Sequence, residues 1–162
     1  MRKAWTLSTL LTVLGMFAVG CASPSKPWNV QINKTTPATI ETDLIGVTKL
    51  DRARWENTDL DQYWAAGSQV RRDSDKLSNT VQMNQPWVIT RDDPKWRSWL
   101  DRGATDLLII ANLPGKHPSG PADPRRIFLP LQGSAWKAKD DALQIELRDS
   151  EIRVMTPQKQ RK

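Results

Sequence analysis

One cysteine, Cys21, stands in this chain of 162 residues. A single thiol makes no internal disulfide and no thiolate metal site. It can, however, carry a diacylglyceryl group as a thioether. His117 is also alone, so no His-based zinc site can be assembled from it; it reads as an exposed loop residue. No G-x-S-x-G elbow and no glycine-rich phosphate loop is present. The carboxylates come in near pairs, Asp59/Asp61, Asp73/Asp75, Asp92/Asp93 and Asp140/Asp141. Two carboxyls flanking a sugar bond would suit glycoside hydrolysis. These pairs instead fall where caps and turns need acceptors, and none fits a D-x-D-x-D-G calcium loop with its distal Glu. No catalytic residue, metal ligand or cofactor is expected, and the chemistry expected at Cys21 is lipidation, on the strength of the residues that precede it.

The residues before Cys21 fit that expectation. Met1-Arg2-Lys3 is a short basic start, and residues 7–19 are apolar apart from Ser8, Thr9, Thr12 and Gly15. That is a charged n-region and an h-region of secretory length, too short for a comfortable membrane span. Ala18-Val19-Gly20 then offers small residues directly before the cysteine. The segment resembles a bacterial lipobox, with Ala18 where leucine is commoner. Small residues let the extended chain enter the signal peptidase, and cleavage exposes an amine on Cys21 that can be acylated too. One acyl chain binds a membrane marginally, while two or more hold it there. Ala22-Ser23 follow, with no Asp after the cysteine. In a Gram-negative cell the resemblance to sorted lipoproteins implies the periplasmic face of the outer membrane. The expected organisation is a signal peptide at 1–20, an acylated cysteine and tether at 21–27, a domain at 28–156 and a basic disordered tail at 157–162. At ~3.3 Å per residue the tether reaches roughly 20 Å.

The net charge of +6 invites a nucleic-acid reading, but its location speaks against one. Arg2 and Lys3 leave with the signal, and Lys26, Lys159, Arg161 and Lys162 lie in the flanks. Residues 28–156 hold eighteen basic and eighteen acidic side chains. A nucleic-acid binder concentrates its charge on the folded domain. About 140 residues remain after the signal, enough for one domain with a core.

The elements that hold this domain together are legible in outline. Residues 39–50, "TIETDLIGVTKL", favour a strand through their β-branched content. Asp51 can cap a short helix carrying Trp55, and Thr58-Asp59-Leu60-Asp61 fits a capping box before Leu60, Tyr63 and Trp64 on one helical face. Residues 78–83 and 86–90 read as short strands. Asp93-Pro94 is an N-cap with proline at the first helical position, Trp96, Trp99 and Leu100 share a face, and Gly103 ends the helix. Residues 105–112, "TDLLIIAN", predict a central strand. The stretch 114–124, "PGKHPSGPADP", is a loop that joins it to a strand at 126–131. Leu143, Ile145 and Leu147 alternate, Asp149-Ser150 can turn, and Ile152 and Val154 alternate again, which makes a hairpin. About seven strands with two helical insertions, without regular helices between strands, predict a mainly β, two-sheet sandwich rather than a parallel α/β sheet.

A lipobox, a short tether, a strand, an aromatic and acidic helical insertion, then "TDLLIIAN", "RIFLPL" and "LQIELRDSEIRVM" as later sandwich strands and closing hairpin: this order resembles the small outer-membrane lipoprotein of type VI secretion systems. The resemblance spans roughly residues 39–155 and lies in pattern and order. It implies a transthyretin-like sandwich that docks the periplasmic end of a large inner-membrane subunit.

Surface contacts can also be sought in the residues themselves. Seven tryptophans follow the signal, and each can bury ~200 Å². Most are expected in the core, pinning helices to sheets. Trp28 and Trp136 belong to no periodic apolar face and are the candidates for an exposed contact. Arg125 and Arg126, directly after the proline-rich loop, are candidates to anchor an acidic partner, since Trp and Arg are common interface anchors. The function expected is a non-catalytic docking or assembly subunit, with membrane lipid and an envelope protein as partners and neither nucleic acid nor a small-molecule substrate. A Trp-rich sandwich that binds cell-wall or surface glycan is the alternative, and a hydrolase using two carboxylates is a weaker third.

Overall fold

The computed structural model describes residues 28–131, 135–137 and 142–159. Residues 1–27, where a signal peptide, the lipidated Cys21 and a tether are expected, the Asp140/Asp141 pair and residues 160–162 lie outside the described residues. Within them the order is β1 (Asn29–Lys34), β2 (Ile40–Val47), α1 (Lys49–Glu56), α2 (Leu60–Trp64), α3 (Gln69–Asp73), β3 (Lys76–Val81), β4 (Trp87–Ile89), α4 (Pro94–Asp101), β5 (Asp106–Ala111), β6 (Arg126–Pro130), β7 (Ala142–Leu147) and β8 (Ile152–Val154).

Two four-stranded sheets form a mainly β sandwich, one ordered β4-β1-β7-β8 and the other β3-β2-β5-β6. β1 runs parallel to β7, with Val30 opposite Leu143 and Ile32 opposite Ile145. The other strand pairs are antiparallel. Strand side chains alternate between faces. Val30, Ile32, Leu143, Ile145 and Leu147 therefore enter the space between the sheets, where they meet Ile40, Leu44, Leu107, Ile109 and Leu129. The opposite face of the second sheet has its own core. Ile45, Val47, Leu108 and Ile110 pack beneath Trp55, Leu60 and Tyr63 of α1 and α2. β5 is buried at every position because both of its faces are covered. That double cover explains the unbroken apolar run from Leu107 to Ala111.

Tryptophans close one end of the sandwich. Trp136, Trp28, Trp96 and Trp99 form an edge-to-face chain with ring centroids 6.1, 5.8 and 5.6 Å apart. Such edge contacts each add about 0.5–1.5 kcal/mol beyond area burial. The chain seats α4 against β2, where Gly46 lies under Trp99; a Cβ at Gly46 would stand 2.3 Å from the Trp99 Cγ.

Several local signals behave as read and others do not. Asp93 caps α4 by accepting from the Lys95 N–H at 2.8 Å, with Pro94 at the first turn. Gly103 follows with φ of 80°. α1, however, is capped by Thr48 rather than Asp51. The Thr48 hydroxyl accepts from the Asp51 N–H at 3.2 Å and donates to the Asp51 carboxylate at 2.8 Å, a reciprocal pair that needs Asp51 inside the helix. α2 is capped by Asp59, not Thr58, through the N–H groups of Asp61 and Gln62. Among the described residues eight strands and four helices stand where seven strands and three helices, in two insertions, are expected. β1 and α3 are the additions. Residues 157–159 are not a free tail: Lys137 N–H donates to the Pro157 carbonyl and Lys159 N–H to that of Ala135, which lays this segment along residues 135–137.

Candidate functional site

The four residues expected to face a partner are buried. Trp28 and Trp136 are 5% and 3% exposed and sit inside the tryptophan chain. The Trp136 indole N–H donates to the Pro130 carbonyl at 3.0 Å. Arg125 is clamped by carboxylates, with Nη2 on Asp123 at 2.7 Å and Nη1 on Asp61 at 2.6 Å. Arg126 donates to the carbonyls of Trp55 and Gly120. The expectation of exposed anchors is thus corrected. The indoles find more apolar surface between the sheets than outside, and the guanidiniums staple the proline-rich loop to the helical layer. A Trp platform for glycan loses its two named residues by the same burial. Burial pushes the Asp123 carboxyl up, but the hydrogen bonds and charge of Arg125 outweigh it and hold the pKa below the usual range. Burial lowers the Arg126 pKa.

The proline-rich loop is pinned along its length. The His117 ring lies 3.0 Å from the Pro114 carbonyl, Asp123 N–H donates to that of Gly120, and Ile152 N–H reaches that of Pro124. Its acid, Asp123, and the two arginines that follow the loop are committed to structure.

A second network fixes the helical layer. Asp43 is fully buried in β2, on the helix-facing side. It accepts from the Tyr63 hydroxyl and from Arg71 Nε, each at 2.8 Å. Arg71 also reaches Glu41 at 3.0 Å and lies 4.2 Å above the Trp64 ring. Burial, then the Asp43 charge, raise the Tyr63 pKa. Burial opposes the Arg71 charge, but Asp43 and Glu41 outweigh it, so its pKa is raised. One arginine from a five-residue helix too short to stand alone therefore holds α3 to the sheet.

Between α1 and α3 this leaves a groove. Two adjoining hollows of about 400 and 470 Å³ share Arg54, Trp55, Asp73 and Ser74 as lining. Trp55 forms the floor, and Val70, 53% exposed, lines the α3 side. Leu50, 94% exposed, lies one turn before Arg54 on α1. The groove's charges are unevenly answered. Asp75 is paired with Lys95 and Arg102. Asp51 has the Thr48 hydroxyl and a long 3.7 Å contact to Arg54. Asp73 makes no ion pair among the described residues. Sequence reading passed over Val70 and weighed Asp73 only as half of a carboxylate pair, because α3 has no periodic apolar face to announce it.

No described helix covers the outer face of the first sheet. Register places Val88, Gln31, Gln144 and Met155 side by side across it. Gln144 donates to Gln31 at 3.2 Å and Gln31 to Asn33 at 3.4 Å, while Val88 and Met155 are half exposed at the two ends. Among the described residues no group of three or more His, Cys, Asp and Glu is placed to hold a metal ion.

No protein-family model matches the chain, and no curated protein matches it. Solved structures do match in shape. A chain of a structure described as a type VI membrane complex superposes with a TM-score of 0.54 at 12% identity, covering 80% of this chain and 98% of its own. A chain of a structure described as the T6SS protein TssM C-terminal domain from EAEC gives a TM-score of 0.51, also at 12% identity, over 80% and 98%. The membrane-bound Lip component of the type VI secretion system of Serratia marcescens gives 0.43 at 17% identity over 80% and 97%, too loose a superposition to count toward the fold. The sandwich resembling type VI secretion components is thus met in three dimensions as well as in the order of its elements.

Proposed function

We propose that this chain is a membrane-anchored, non-catalytic docking subunit of a secretion-type envelope complex of the type VI kind. Cys21 carries the acyl chains and holds the sandwich at the periplasmic face of the outer membrane, where an envelope protein binds it. The observation that carries the reading is the fold shared with a chain of a type VI membrane complex along nearly that chain's whole length. The basic start, apolar run and small residues before Cys21 support the anchor. The acids most suited to catalysis are engaged as helix caps at Asp59 and Asp93 and in ion pairs at Asp75 and Asp123.

The anchor is tested by detergent-phase partitioning of the full chain. The native protein enters the detergent phase and Cys21→Ser stays in the aqueous phase; partitioning that survives the substitution overturns the lipid anchor. The docking role is tested by cross-linking in the native membrane. A single large envelope protein is the expected product, and a chain that forms none is not a docking subunit.

A further inference from the structure

We infer that the groove between α1 and α3 is where the envelope partner docks, and that the docked segment carries an aliphatic side chain beside a lysine or arginine. This rests on the docking role proposed above. Three features converge on the groove. Its floor is a largely buried indole with the Arg54 guanidinium 5.4 Å from the ring centre, and one aliphatic side chain of its lining, Val70 on α3, stands open to water. Burying a chemically matched aliphatic there removes apolar surface from water at ~25 cal/mol per Å².

The charge left over is specific. Asp75 is already met by two cations, Lys95 and Arg102. The cation of the shared lining, Arg54, is 71% exposed and spans 3.7 Å to Asp51. Asp73 therefore offers a carboxylate with no ion pair among the described residues at the edge of a hollow of mixed polar and apolar lining. An incoming ammonium or guanidinium satisfies it, while an acidic segment meets repulsion.

The groove is also built rather than incidental. Arg71, Asp43 and Tyr63 fix α3 from below, so the walls are held before any partner arrives. Preorganised walls reduce the ordering cost of binding. The outer face of the first sheet is the competing surface. Its middle row is a chain of amides that already satisfy one another, and its exposed charge, Arg153 opposite Glu146, stands on a flat strand surface rather than beside a hollow.

The test places a photo-crosslinking residue at Val70, or at Gln144 for comparison, in the full-length chain in its native membrane. The Val70 position is expected to capture one protein, and sequencing the captured peptide to find an aliphatic residue adjacent to a Lys or Arg. Asp73→Lys, a change at an exposed position, is expected to cut the Val70 yield about tenfold, equivalent to ~1.4 kcal/mol. Circular dichroism of that variant should match the native chain. Capture from Gln144 alone, a captured peptide without a basic residue, a second copy of this chain as the product, or an unchanged yield with Asp73→Lys overturns the groove while leaving the docking role standing. Capture at neither position overturns the groove, and if the general cross-linking also yields no envelope product the docking role falls with it.

Discussion

Thr42 carries its hydroxyl into the space between the sheets, opposite Ala111, and that oxygen finds no hydrogen-bond partner among the described residues. A buried, unpaired hydroxyl costs ~1–3 kcal/mol. Thr42→Val keeps the shape and removes the orphan, so denaturant unfolding should show a gain of about 1 kcal/mol. Asp43 is the opposite case. Asp43→Asn leaves Arg71 without its closest carboxylate and should destabilise the domain by about 3 kcal/mol, near the low end for breaking a buried pair because Arg71 keeps Glu41 and some water. Tyr63→Phe removes one donor only and should cost about 1 kcal/mol. Asp123 sets an acid limit. Its pKa is depressed in the fold, so the native state holds a proton less tightly than the unfolded chain. Its contribution is complete above the unfolded carboxyl value of about 3.9 and drains as pH falls through that value toward the native one. Stability measured from pH 6 downward should therefore fall off below roughly pH 4, with a shallower slope in Asp123→Asn.

At the scale of elements, α4 is the most exacting fit. Gly46 admits the Trp99 ring because it lacks a side chain, and a Cβ there would also stand 2.4 Å from the Trp99 Cβ. That atom is rooted in the helix, so a rotamer change cannot relieve the clash. Gly46→Ala should cost about 1–3 kcal/mol by overpacking and loosen the tryptophan chain, read as reduced near-UV dichroism and a lower unfolding midpoint. α4 was readable in the sequence because its signals are local: Asp93, Pro94 and Gly103 act within a turn of where they stand. α3 was not. Its five residues carry no buried side chain, and what holds it is Arg71 reaching a carboxylate on β2. The cap of α1 was misplaced for a related reason. Thr48 and Asp51 are both good caps, and only the point where β2 ends decides between them.

For the whole molecule the critical join is β1 with β7, the one parallel pairing in the sandwich among the described strands. The Thr35 hydroxyl bonds the Leu147 carbonyl across 112 residues of chain. β1 is interior to its sheet, so truncation through Lys34 should leave the rest unable to fold, seen as loss of the cooperative transition. Hydrogen exchange should be slowest in β1, β2, β5 and β7 and fastest in the edge strands β3, β4, β6 and β8. The sequence by itself determined what depends on near neighbours. That covers the chemical setting of Cys21, the capped start of α4, the apolar run of β5, the alternation of the β7–β8 hairpin, and through them a sandwich rather than an α/β sheet. Only the tertiary structure decided which large side chains face water. An indole or a guanidinium is equally suited to a core and to an interface. Trp28 became internal because Trp96 and Trp136 arrive from distant parts of the chain to cover it, and Arg125 because Asp61 arrives to join its near neighbour Asp123 in neutralising it. Val70 and Asp73 stayed open because nothing in the described fold arrives to meet them.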